Sequence, residues 1–177
     1  MASVITATTT SGLTQSADNS GVLQLASGTG NLVTVPSVTG TAMVSGNMPT
    51  FSAYANATTS VAANAFTKVN FQVEEFDTAN CFASSRFTAN IAGYYLIGGA
   101  TNITNFVTIS IFKNGSEYKR GVQSANVGMY GGSVNGIVYM NGSTDYVEIY
   151  VYQSSGTQTT AGVQPETWFN GCLMRAA

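Results

Sequence analysis

From Phe51 onward, apolar and polar residues fall in short runs bounded by Gly, Asn, Asp and Ser, and no stretch sustains the three-to-four-residue recurrence of a helix. The pattern predicts strands over 51–55, 67–71, 85–88, 93–101, 106–113, 117–122, 132–140, 145–153 and 167–174. Alternation is strictest over 146–152, where Val147, Ile149 and Val151 point one way and Tyr146, Glu148, Tyr150 and Tyr152 the other. The first set is a core face. The second, a tyrosine row with one carboxylate, suits solvent, a neighbouring subunit or a ligand, and makes Tyr150 and Tyr152 the candidate ligand contacts.

Two strands break this rule, because both of their faces are apolar. Tyr95 and Ile97 oppose Tyr94 and Leu96, while Phe169 and Leu173 oppose Trp168, Cys172 and Met174. A strand in a two-layer sandwich has one core face, so a second apolar face asks for a second partner. With Tyr95, Ile97, Phe169 and Leu173 in the core, the residues Tyr94, Leu96, Trp168, Cys172 and Met174 become the expected contact with another copy of the chain. A covering loop, or a few exposed aromatics, is the simpler alternative. Asn114-Gly115 and Asn141-Gly142 tolerate positive φ and predict tight hairpins that set the register of their flanking strands.

The first 50 residues differ in texture. Asp18 is their only charge, and they hold no aromatic residue. β-like runs over 21–25, 31–35 and 41–44 are separated by Gly28, Gly30 and Gly40, and Pro49 closes the segment. Each run is too small to bury anything alone. Such pieces order when several chains wrap together or when they lie on another protein, and otherwise serve as a polar linker. The expected organisation is an anchor or shaft over 1–50 and a head domain over 51–177.

Composition narrows the chemistry. Charged residues are 8% of the chain, Lys+Arg 6 against Asp+Glu 8 for a formal charge of −2, and no basic cluster exceeds Lys119-Arg120. Phosphate-driven nucleic-acid binding is therefore not expected. No apolar run is long enough to cross a membrane as a helix, and the first residues lack a basic start and apolar stretch, so no membrane insertion or secretion is expected and synthesis is placed in the cytoplasm. In that setting Cys81 and Cys172 read as free thiols ahead of a disulfide, and the sequons at Asn56, Asn102, Asn114 and Asn141 as polar turns.

The chain has no histidine, which removes the commonest general base and metal ligand along with the His-based triads and zinc sites. Glu74-Glu75 with Asp77 is the one acidic cluster. Neighbours on a strand point to opposite faces, so Glu74 and Glu75 form a poor hydrolytic pair. The same cluster offers oxygen ligands to Ca²⁺, although acidic loop residues are more often simply solvated. The expectation is no enzyme, no catalytic residue and no resident cofactor, with Ca²⁺ the sole metal worth considering.

Taken in order, Phe51, Lys68-Val69-Asn70-Phe71, Phe76-Asp77, Arg86-Phe87-Thr88, Gly93-Tyr94-Tyr95-Leu96-Ile97, Lys113-Asn114-Gly115, Asp145-Tyr146-Val147 and Phe169-Asn170-Gly171-Cys172-Leu173 resemble a C1q-like domain, the jelly roll shared with the tumour-necrosis-factor family. Ile97 stands where that family usually has Phe. The resemblance implies an all-β antiparallel jelly-roll sandwich and a homotrimer, and some similar domains hold calcium near the trimer top. The stretch from Ser11 to Leu23 and the runs after it resemble, in composition, the leading regions of bacteriophage virion fibres and of head- or tail-associated proteins. Together they imply a virion protein anchored to capsid or tail by residues 1–50, with a trimeric head that meets a host cell-surface glycan or protein. A purely structural capsid cement, or a free extracellular glycan-binding module, is the alternative.

Overall fold

The computed structural model describes residues 23–26, 32–35, 43, 46, 48–123 and 130–177. The chain divides into two compact units, Met1–Thr41 and Ala42–Ala177. In the first, β1 (Leu23–Ala26) and β2 (Leu32–Val35) pair antiparallel, with Leu23 opposite Val35 and Ala26 opposite Leu32. Two of the expected N-terminal runs thus pair with each other. The third, over 41–44, lies outside the described residues except for Met43, as does most of the phage-like stretch from Ser11 to Leu23. The second unit begins nine residues before the expected boundary, between positions 42 and 51. Met43 already packs on the core of that unit.

That unit is a sandwich of two antiparallel sheets. The first has the order β12 (Gly132–Asn141), β9 (Ala92–Thr101), β15 (Trp168–Ala176), β3 (Thr50–Tyr54), β6 (Val73–Asp77). The second runs β11 (Ser116–Gln123), β10 (Phe106–Lys113), β13 (Tyr146–Gln153), β8 (Arg86–Thr88), β7 (Phe82–Ala83), and β5 (Phe66–Lys68) pairs with the far half of β13. A small pair, β4 (Ser60–Val61) with β14 (Gln158–Thr159), closes one end. Strands adjacent in a sheet are mostly distant in sequence, so the chain crosses repeatedly from one layer to the other. That is the jelly-roll winding.

Period-two alternation builds the core between the layers. Tyr95, Ile97, Phe169 and Leu173 of the first sheet and Val147, Ile149 and Val151 of the second are all buried. Phe51 is the hub: its ring stacks on Phe87 at 4.5 Å and on Phe82 at 5.2 Å, and meets Phe169 edge-on at 4.9 Å. Gly171 lets β15 approach this hub, since a Cβ there would lie 2.7 Å from Ile97 Cδ1 and 2.9 Å from Phe51 Cε1.

The two predicted turns behave differently. Asn114 (φ 51°) and Gly115 (φ 80°) both take left-handed backbone and close the β10–β11 hairpin, as the dipeptide predicts. Asn141-Gly142 is no hairpin, because β12 and β13 belong to different sheets. Asn141 stays at the end of β12, and its Oδ1 accepts the backbone N–H groups of Ser143, Thr144 and Asp145 at 2.9–3.0 Å. A side-chain cap therefore turns the chain between layers. The short strands β4, β7 and β14 and the strand β6 add to the predicted set; all are too brief or too exposed to display alternation.

Candidate binding surfaces

The outward face of the first sheet is built by the residues between the core positions. Backbone register aligns them in rows across the strands. Ile137, Leu96 and Cys172 form one row over β12, β9 and β15, and Tyr139 sits beside Tyr94 in the next, their rings 5.5 Å apart. Leu96, Tyr94, Ile137, Tyr139 and Met174 are each 42–52% exposed. Phe76, 50% exposed, lies at the far side of the same sheet. From Ser133 to Tyr139, from Tyr94 to Ala100 and from Trp168 to Met174 these strands carry no charged side chain, while Arg175, the next residue of β15, is exposed opposite Tyr94.

The structure thus puts Tyr94, Leu96, Trp168, Cys172 and Met174 on one face, but not as one continuous patch. Asn135, Gly98 and Asn170 form a row between Leu96 and Trp168, and the partly buried indole lies near Gly98, 3.6 Å from where a Cβ would be. Ile137 and Tyr139 belong to this surface and were missing from the expected set. Their signal was available, because Ile137 and Tyr139 alternate with the buried Val138 and Met140, another strand apolar on both faces.

The outward face of the second sheet is covered by its own side chains. Tyr150 stacks on Phe112 with centroids 4.1 Å apart, and its hydroxyl donates to Glu148 at 3.4 Å. Tyr152 tilts against Phe66 at 5.4 Å and donates to Asn64. Both candidate ligand contacts are therefore engaged in packing and only partly exposed. Burial pushes the Tyr150 hydroxyl above its ordinary pKa, with the Glu148 charge adding to it.

Glu148 organises this face. It is 2% exposed, and its Oε1 accepts from Lys68 Nζ at 2.8 Å and Arg86 Nε at 2.9 Å. Burial alone would raise this carboxyl, but hydrogen bonds and charge from Lys68 and Arg86 outweigh it and hold the group below the usual carboxylate range. The Arg86 guanidinium carbon lies over Tyr146, 3.8 Å from the ring centre. At one end of the sandwich, Asp145 ties the two turns together: it accepts from Asn114 Nδ2 (2.8 Å), Lys113 Nζ (2.9 Å) and Asn141 N (3.0 Å). The hydrogen bonds from Asn114 and Lys113 lower its pKa.

The acidic cluster is dispersed. Asp77 accepts the backbone N–H groups of Phe82 and Ala79, capping its own turn. Glu75 takes hydrogen bonds from Ser52 and Gln164, whereas Glu74 lines a separate cleft beside Gln72 and Ser85. Among the described residues no three His, Cys, Asp or Glu side chains converge as a metal-ligand group. Cys81 is buried and Cys172 half-buried, both as free thiols. No helix of the described residues is long and apolar enough to cross a membrane.

Comparison with solved structures places this architecture. The chain is similar to the globular domain of zebrafish complement 1qA, at 17% identity and a TM-score of 0.56, covering 73% of this chain and 99% of that one. The fold is a C1q/tumour-necrosis-factor-like jelly roll. Murine APRIL matches with a TM-score of 0.52 at 14% identity over 72% of this chain and 99% of its own, and Eiger TNF from S. frugiperda with 0.51 at 9% over 73% and 93%. No family model and no curated protein sequence matches the chain. At these identities the jelly-roll likeness is one of fold.

Proposed function

We propose that this chain is a non-catalytic bacteriophage virion protein: a homotrimeric fibre or decoration protein, attached to capsid or tail through residues 1–50 and presenting its jelly-roll head to the host surface. The observation that carries the assembly is the apolar outward face of β12, β9 and β15, with Leu96, Tyr94, Ile137, Tyr139 and Met174 each 42% or more exposed. Large apolar side chains gathered on one sheet face are what a lone soluble domain avoids and what a subunit contact uses. A second copy is the natural occupant, because the row at the centre of the face, Ile137, Leu96 and Cys172, is apolar, and charge enters only beside the tyrosines, at Arg175 and Lys113. The phage setting is supported by the charge-poor, aromatic-free first 50 residues and by the composition of the stretch from Ser11 to Leu23. Function then follows from valency: three weak sites on one rigid head act at high effective concentration.

Light scattering at micromolar protein tests the assembly. The expected mass is three times 18.4 kDa. Leu96→Asp places a carboxylate in the middle of the face, and its desolvation, about 2 kcal/mol or more per contact, should return the mass to that of one chain. A wild-type monomer, or an unchanged mass in the variant, rejects the interface. Peptide mapping of purified phage particles tests the setting, and recapture by particles lacking the protein, lost on deleting residues 1–50, tests the anchor. Binding of the isolated head to host cells separates attachment from a purely structural cement.

A further inference from the structure

A polar cleft of about 610 Å³ opens on the outer surface of the second sheet, between Lys68 on β5, the β7–β8 hairpin and the Gly142-Ser143 turn. We propose that this cleft binds a carboxylated sugar, with Arg86 and Lys68 holding the carboxylate. Its volume is that of a small-molecule site, and its walls mix asparagine, serine and threonine side chains with Cys81, Ala83 and Ala89, a mixture that suits the hydroxyls and ring faces of a sugar. Among the described residues, the charged ones lining it are these two cations. They share a single carboxylate, Glu148, whose side chain is 3% exposed against 27% for Lys68 and 42% for Arg86. Around Glu148 one positive charge is thus left over, on residues that line the cleft.

Arg86 is also held ready for an anion. Its Nε is bonded to Glu148 and its Cζ sits 3.8 Å from the Tyr146 ring centre, while its terminal amino groups have no hydrogen-bond acceptor among the described residues. A guanidinium held at Nε and in contact with an aromatic ring leaves its two terminal amino groups as a donor fork for a carboxylate, with less rotamer freedom left to lose. Lys68 spends one of its three donors on Glu148. The hairpin beside them is shaped at a cost: Ser84 and Ser85 both hold left-handed backbone, φ 51° and 58°, with Ser85 Oγ anchored on the N–H and C=O of Phe71. Asn80, Asn90, Thr88 and Ser143 supply the amides and hydroxyls that sugar hydroxyls require.

The cleft lies within one chain, so the binding inference holds for any assembly state; only its use in host attachment rests on the virion reading. The test is titration of the full-length protein with sodium glucuronate, glucose and glucose 6-phosphate in parallel, followed by amide ¹H–¹⁵N spectra. Saturating shifts at Arg86, Thr88, Asn90 and Ser143 are expected with glucuronate at a Kd of about 1–10 mM, a single-site affinity that multivalency can raise, and none with glucose. Arg86→Lys keeps a cation on Glu148 but loses the fork, and should weaken binding roughly tenfold. Ser143→Trp, at an exposed rim position whose backbone bonds remain, should block it while the spectrum stays folded. Absent or dispersed shifts, or equal binding by both variants, would overturn the site. Glucose 6-phosphate binding as tightly as glucuronate would overturn the carboxylate assignment.

Discussion

Replacing Glu148 by Gln removes the one charge that compensates Lys68 and Arg86 while keeping shape and hydrogen-bonding capacity. Deleting one partner of a buried ion pair costs about 3–5 kcal/mol, because the remaining charge is stranded away from water. Here the stranded groups are the cations, whose side chains are 27% and 42% exposed and can turn toward solvent, so the cost falls to about 2 kcal/mol. For a chain of this length that is a fall in Tm of about 4–8 °C at pH 7, readable by differential scanning calorimetry. The sign with pH follows from the depressed carboxyl. Its contribution is present above the ordinary value of 4.5 and is lost as pH falls from there through the folded value. The gap between wild type and Glu148→Gln should therefore be constant near neutrality and close below about pH 4.5. A gap that persists unchanged at pH 3, or a variant as stable as wild type at pH 7, would refute the account of Glu148 as the organiser of that face.

Two further substitutions probe the frame. Asn141→Ala removes the oxygen that accepts three backbone amides at the β12–β13 crossover, and should cost about 1–2 kcal/mol by chemical denaturation while leaving the urea m-value unchanged. Gly171→Ala drives a methyl against Ile97 and Phe51, and should cost about 1–3 kcal/mol, seen in the same assay as an earlier unfolding midpoint.

Strand existence and facing were legible wherever a strand is long and half-buried. Val147, Ile149 and Val151 against the tyrosine row, and Tyr95 and Ile97 against Tyr94 and Leu96, follow from alternation alone, because side chains on a pleated strand point to opposite sides by geometry. The Asn114-Gly115 hairpin was legible for a local reason, since both residues must take positive φ. Asn141-Gly142 looked equivalent yet turns the chain between layers; the distinction depends on which strands β12 and β13 pair with, and a dipeptide carries no information about that. Strand β6 stayed hidden because its Glu74, Glu75 and Phe76 are all exposed, so the residues show no buried face.

Composition and alternation by themselves determined a histidine-free, charge-poor, all-β chain with doubly apolar strands, because those properties depend only on residue identity and on the two-residue period of an extended backbone. Only the tertiary structure decided that Ile137 and Tyr139 stand beside Leu96 and Tyr94, and that Asn135, Gly98 and Asn170 part them from Trp168. It also decided that Lys68, Arg86 and Glu148, 80 residues apart at the extremes, meet around one carboxylate oxygen and leave a positive cleft beside it. Such contacts arise from the register of strands remote in sequence, and register is settled by how the whole core packs.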